Sequence, residues 1–204
     1  MKKDTPVILG ITAASGIIYG IEILEFLLKN AYQVELIISS KAYYIADQEL
    51  GLELDNDREK NYANILRFIK MAKEIKNLQI WMDDEIWASP SSGSYKTEGM
   101  IIAPASMATI AAIANGNAEN LITRAADVCI KEKRTLTLVP RETPLNSIHL
   151  ENMLKLSKLG VNIVPPIPGF YGKIDTIDDS IDFVVGKILD VCNIENNLYE
   201  RWQI

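Results

Sequence analysis

Histidine and cysteine are almost missing from this chain, which has one His (His149) and two Cys (Cys129 and Cys192) in 204 residues. Two cysteines are too few for a disulfide scaffold of this size, and a His/Cys metal site fails for lack of ligands. A Ser–His–Asp triad would have to use His149, inside an expected helix and with no nucleophile elbow to support it, so His149 reads as structural. Cys129 lies among apolar residues of another expected helix and reads as a buried, inert thiol. Long apolar runs are missing too, and none approaches the ~20 residues needed to span a bilayer. The apolar stretch behind Met1-Lys-Lys breaks at Gly10 and reads as a first strand, not a signal peptide, so a cytoplasmic protein is expected. Positive charge is in deficit, with 21 Lys and Arg against 27 Asp and Glu. The resulting net charge of −6 argues against a general nucleic-acid binder, although Lys131–Arg134 offers a local basic cluster.

What is present is a regular alternation. Apolar residues make up 48% of the chain and charged residues 24%, ordinary values for a globular protein with a real core. Strand-length apolar runs at Val7–Thr12, Val34–Ile38, Leu78–Met82, Gly99–Ala103, Thr135–Val139 and Val161–Val164 alternate with segments of helical period. Those helices are expected near Gly16–Lys29, Lys41–Gln48, Asn61–Glu74, Ser106–Ala114, Ala118–Lys133, Asn146–Lys158 and Thr176–Val191. Glu85–Ala88 reads as a further extended piece, and Gly51–Glu59 as an acidic loop. Such alternation predicts an α/β fold of three layers, a flavodoxin/Rossmann-like parallel sheet with helices on both faces. One domain spanning 1–204 is expected, with 195–204 as a C-terminal tail.

Several strands end in polar residues, and the mouth of a parallel sheet is where such proteins bind ligands. The fifth run stops at Pro140 and is followed at once by Arg141 and Glu142. Gly10-Ile-Thr-Ala-Ala-Ser-Gly16 joins the first strand to the first helix, where free backbone N–H groups favour a phosphate. It lacks the Gly-Lys-Ser/Thr ending of a Walker loop and the Gly-x-Gly-x-x-Gly spacing of a dinucleotide site. The second strand ends in Ser39 and Ser40 rather than the acidic residue that holds a ribose in NAD enzymes. A mononucleotide or other phosphate ester fits better than NAD, with a ligand-free tight turn as the bland account. Arg124 and Lys131 are two helical turns apart and share a face, which is a solvated charged face or part of the site. Glu49 and Glu142 are the carboxylates placed to handle protons, and Pro165-Pro-Ile-Pro-Gly-Phe-Tyr171 is either a pocket wall or a rigid surface turn.

Six segments in this order and spacing resemble the UbiX-type flavin prenyltransferase family: Gly10–Gly20, Ser91–Ser94, Leu121–Asp127, Lys131–Arg134, Val139–Pro144 and Pro168–Tyr171. The resemblance runs from Val7 to Ile194 and implies a flavodoxin-like fold that binds FMN. It implies transfer of a dimethylallyl group, without a metal, from dimethylallyl phosphate to N5 and C6 of reduced FMN. The prenylated FMN would serve UbiD-type decarboxylases, in ubiquinone biosynthesis for example, and the assembly would be a homododecamer with active sites at subunit contacts.

By the same resemblance Ala13, Ala14, Ser15, Gly16 and Ser39 would hold FMN, joined by Ser106, Met107, Thr109 and Arg124. Ser92, Lys131, Arg141 and Tyr171 would meet the substrate phosphate, and Lys187 stands where the family commonly has an arginine for it. Catalysis would fall to Ser15, Glu49, Glu142, Lys131 and Tyr171, with Trp87 and Trp202 shielding an allylic cation. The family's cysteine at the end of the fourth strand is Ala105 here, and Pro104-Ala-Ser-Met-Ala-Thr109 resembles a motif of the related cysteine decarboxylase flavoproteins. FMN-dependent cysteine decarboxylation is therefore an alternative, though the early catalytic His of those enzymes is absent; a non-catalytic FMN carrier is another.

Overall fold

The computed structural model describes residues 5–72, 74–170 and 174–202. Six strands form one parallel sheet: β1 (Val7–Ile11), β2 (Val34–Ile38), β3 (Leu78–Met82), β4 (Gly99–Ala105), β5 (Leu136–Pro140) and β6 (Asn162–Ile163). Their spatial order is β3-β2-β1-β4-β5-β6, the order of a doubly wound sheet. The inner strands are buried along their whole length and mostly apolar, with Glu35 in β2 and Thr137 in β5 as polar exceptions, because the layers on both faces cover them.

Side chains alternate between the faces with period two. Val7, Leu9 and Ile11 of β1 join Leu36 and Ile38 of β2 in one core. That core is closed by α1 (Ile17–Lys29), α2 (Tyr43–Leu50), α3 (Arg58–Phe68) and α7 (Ile177–Val191). Ile8, Ile37 and Ile102 point the other way, into a second core closed by α4 (Met107–Ala114), α5 (Leu121–Lys131) and α6 (Ser147–Lys158). Helix α1 presses directly on β4 at Gly20, where a Cβ would fall 2.3 Å from the Ala103 carbonyl oxygen. Glycine is required there by contact, not by backbone conformation.

Local capping moves two helix starts from their expected places, while α3 also ends at Phe68 in place of Glu74 and α2 spans Tyr43–Leu50 in place of Lys41–Gln48. Asp57 accepts from the N–H groups of Glu59 and Lys60, so α3 starts three residues early at Arg58. Asn120 and Thr123 make a reciprocal capping box, so α5 starts at Leu121, three residues after Ala118. Glu85–Ala88 is not extended. The Ala88 N–H donates to the Glu85 carbonyl at 2.9 Å, and a single 3-10 turn, Ser89–Ser91, follows with Pro90 inside it. Residues 83–98 therefore form an irregular crossover between β3 and β4, with no α-helix. Cys129 is fully buried and burial pushes its thiol up to about 11, in keeping with an inert core residue. No helix of the described residues is long and apolar enough to cross a membrane.

Candidate functional site

β1 and β4 are neighbours, yet α1 leaves β1 towards one face while α4 leaves β4 towards the other. This reversal opens a crevice at the carboxyl ends of the two strands. Thr12 stitches its floor: its hydroxyl donates to the Pro104 carbonyl and accepts from the Ser106 N–H, both at 2.8 Å. Ala14 then turns tightly, its N–H donating to the Thr12 carbonyl at 2.8 Å, and Gly16 adopts φ +95° at the head of α1. Glu49 of α2 reaches that head. Its carboxylate accepts from the N–H of Gly16 at 2.9 Å and of Ile17 at 3.1 Å, as an anion should at a helix N-terminus.

A cleft of about 680 Å³ opens from this point, within the usual range for ligand pockets. Ser15, Gly16, Glu49, Arg141 and Glu142, all singled out from sequence, line it together. Pro165, Pro166 and Ile167 form part of its wall, which decides between the two readings of that loop in favour of a pocket wall. Leu145, Ile177 and Ile181 add apolar surface, so a polar end faces a greasy one. Tyr19, not singled out from sequence, also lines the cleft. Burial raises the pKa of its phenol and the Arg141 guanidinium pulls it part of the way back, so Tyr19 is a neutral donor at physiological pH. The Glu142 carboxylate accepts from the Thr143 N–H at 3.0 Å.

Other sequence candidates sit around the same edge of the sheet. Ser39 is buried at the end of β2, and its hydroxyl donates to Asp83 at 3.0 Å, a partner that sequence reasoning did not find. Ser106 caps α4, accepting from the Thr109 N–H at 3.2 Å and sharing a 2.9 Å hydrogen bond with the Thr109 hydroxyl. Met107 packs in part against the second core, while Arg124 is exposed one turn into α5. His149 lies on α6 with its Nε2 3.4 Å from the Asn146 amide, and its Nδ1 has no hydrogen-bond partner among the described residues.

Lys131 and Ser92 lie elsewhere. Helix α5 runs against the strand direction, so Arg124 sits near the carboxyl edge and Lys131, seven residues or about 10 Å further on, near the amino edge. β5 then returns to the carboxyl edge before reaching Arg141, with about 13 Å of strand between them. Lys131 pairs with Glu132 at 3.5 Å beneath the Ser92–Ser94 turn. Arg134 does not face a ligand; it donates to the carbonyls of Gly93 and Tyr95 at 2.6 and 2.7 Å. Lys187 is exposed on the distal half of α7, 6.0 Å from the Tyr199 ring centroid. Trp87 and Trp202 are exposed and do not line the cleft, and Tyr171 falls outside the described residues.

A doubly wound sheet with hydroxyls, helix N-termini and an arginine at its switch point defines a phosphate-binding α/β protein, and residues 1–189 match the family model for flavoproteins. The chain is 49% identical over 193 residues to flavin prenyltransferase UbiX of Halalkalibacterium halodurans, covering 95% of this chain and 91% of that one. The fold matches AnUbiX (PadA1), solved with FMN and dimethylallyl pyrophosphate, with a TM-score of 0.84 at 35% identity over 98% of both chains. A dodecameric FMN-dependent UbiX-like decarboxylase from Escherichia coli O157:H7 matches with a TM-score of 0.83 at 38% identity, over 98% of this chain and 100% of that one. The chain belongs to the flavoproteins and, within them, to the UbiX flavin prenyltransferases. The cysteine decarboxylase TvaF, at 13% identity and a TM-score of 0.61, shares the fold alone.

Proposed function

We propose that this protein joins a dimethylallyl group from dimethylallyl phosphate to N5 and C6 of reduced FMN. The observation that carries the proposal is the cleft itself, where Ser15, Gly16, Glu49, Arg141 and Glu142 meet at the switch point beside an apolar wall. Its residues fit a phosphorylated flavin. The Gly16 and Ile17 amides already hold an anionic group, the Glu49 carboxylate, and the hydroxyls of Ser15, Ser39, Ser106 and Thr109 surround the same edge. In this reading the Ala13–Gly16 turn, Ser39, Ser106, Met107, Thr109 and Arg124 hold FMN. Reduced FMN supplies the two nucleophilic positions that accept the five-carbon unit.

The chain's own residues do the rest. As the allylic C–O bond breaks, the phosphate leaves with the electron pair and gains charge that Arg141 is placed to stabilise. Glu49 and Glu142 hold and move the protons released during alkylation and ring closure, and Ser15 lies beside them at the polar end. Ile177, Ile181 and Ile167 receive the prenyl tail. Lys131, Ser92, Lys187 and Tyr171 complete the phosphate site, and since Lys131 and Arg141 lie at opposite edges of one sheet, they meet through different copies of the chain. A homo-oligomer, a dodecamer like the Escherichia coli relative, is part of this proposal. So are a single catalytic unit over 1–204, a cytoplasmic setting and delivery of the product to a UbiD-type decarboxylase.

Anaerobic incubation with reduced FMN and dimethylallyl monophosphate, followed by mass spectrometry of the extracted flavin, tests it. A flavin heavier by one five-carbon unit is expected, with that product lost in Glu142→Gln. Tight FMN binding with no modified flavin from either the monophosphate or the pyrophosphate would sink the proposal in favour of a carrier.

A further inference from the structure

The irregular crossover 83–98 lies at the β2–β3 end of the sheet on the side of the second core, beside α5, which itself packs on β2. Long irregular connections inside a compact fold are commonly functional, and this one is fastened along its length. The Leu121 N–H donates to the Asp83 carbonyl at 2.8 Å, and at the far end the Glu98 N–H donates to the Pro6 carbonyl at 2.9 Å. Its tip, Ser92–Ser94, rests on α5. A Cβ on Gly93 would lie 2.4 Å from Glu132 Oε1 and 3.2 Å from Lys131 Nζ, and the hydroxyls of Ser92 and Ser94 are 2.9 Å apart. The tip thus sets two hydroxyls beside the ammonium.

Arg134 ties the tip to the end of α5 through the Gly93 and Tyr95 carbonyls, and a buried carboxylate ties it to β2 through the Tyr95 hydroxyl. Glu35 occupies the second position of β2, only 8% exposed, where the neighbouring strand positions are apolar. One of its oxygens accepts from the Tyr95 hydroxyl and the other from Trp81 Nε1. Among the described residues no cation pairs with it. A buried carboxylate is costly unless its hydrogen bonds are satisfied, and here both oxygens serve to orient neutral donors. Burial first, and then the bond to Glu35, raise the Tyr95 pKa from its ordinary value, which keeps Tyr95 a donor.

We propose that Glu35 is a positioning residue: acting through Tyr95, it holds the Ser92–Ser94 tip against Lys131 and so sets the affinity for the phosphate of the prenyl donor. This rests on the reading above, in which Ser92 and Lys131 meet that phosphate. Tyr95→Phe removes only the hydroxyl, and Glu35→Gln leaves one acceptor oxygen for two donors. Each is expected to raise the KM for dimethylallyl monophosphate roughly five- to tenfold, the scale of one ordinary net hydrogen bond. The inhibition constant of inorganic phosphate should weaken in parallel, with kcat and FMN affinity kept within about twofold. The double variant should be no worse than the worse single, because both cut the same link.

Lys131→Met and Ser92→Ala separate the two ways of failing. An unchanged KM and phosphate inhibition in Tyr95→Phe and Glu35→Gln, with both weakened in Lys131→Met, would overturn the role of Glu35 and leave the phosphate site standing. No effect in Lys131→Met and Ser92→Ala would remove the phosphate site and this proposal with it. A fall in kcat or FMN binding at unchanged KM would show general loosening, which also overturns it. Should Glu35→Gln fail to fold, Tyr95→Phe decides, since it leaves the Glu35–Trp81 pair intact.

Discussion

Lys187 keeps a positive charge where the family commonly carries an arginine, and the difference is one of shape. A guanidinium grips a phosphate with two parallel N–H bonds, whereas an ammonium acts as a point charge. Lys187 projects from α7 near Tyr199, so an arginine has room to reach outwards. Lys187→Arg is therefore expected to lower the KM for the prenyl phosphate a few-fold at constant kcat; steady-state kinetics with an unchanged KM would count against its proposed contact. Single residues were read from sequence with uneven success. Arg141 and Glu142 stood out because two opposite charges end an apolar run, and both line the cleft. Tyr19, Asp83 and Glu35 did not, because nothing in local spacing says that a helix tyrosine turns towards a cleft or that a strand carboxylate meets a hydroxyl 60 positions away.

At the level of elements, the alternation of apolar runs and helical periods sufficed for every strand and helix, because each buries a stripe of matching period. Two helix starts moved at Asp57 and Asn120, where a side-chain oxygen outcompetes the pattern for the first N–H groups. Helix α3 also ends at Phe68, short of the expected Glu74, and α2 runs over Tyr43–Leu50 in place of Lys41–Gln48. The separation of Arg124 from Lys131 was also missed. Their shared helical face was clear, but helix direction relative to the sheet decides which edge each residue reaches, and face alone does not give it. The packing of α1 on β4 gives a sharp test. Gly20→Ala would drive a methyl group into the Ala103 carbonyl, and a loss of about 3 kcal/mol or more is expected in urea unfolding. A loss under ~1 kcal/mol, or a gain of the ~1 kcal/mol by which alanine's helix propensity exceeds glycine's, would mean that α1 can slide away from β4.

For the whole molecule, two acidic groups give opposite pH dependences. Asp190 receives hydrogen bonds from Asn196, Tyr199 and Arg201, which fasten the chain's C-terminal segment to α7. Burial pushes its carboxyl up, but those bonds outweigh burial and hold its pKa below the ordinary 3.8. Its stabilisation is full above that value and is lost as the pH falls through the lower, folded-state value. Asp182 behaves in reverse. Burial raises its pKa, with Asp178 and Asp179 adding repulsion, so it lowers stability once the pH rises past its unfolded value. Asp182→Asn should gain roughly 0.3–0.5 kcal/mol at pH 7, a figure kept small by solvent screening, and nothing below about pH 3. Urea unfolding of both proteins at the two pH values checks this; an equal gain at each would point away from charge.

The outermost strand has a consequence for how such molecules can join. β6 is two residues long, and Pro165 and Pro166 follow it within three positions. Proline has no N–H to offer, so past Val164 this border presents almost no ladder for another chain to extend. On that side the sheet is finished within one molecule. Subunits that gather there must recognise one another by the shape and greasiness of side chains, as masonry is fitted stone to stone, and not by weaving backbone into a shared fabric.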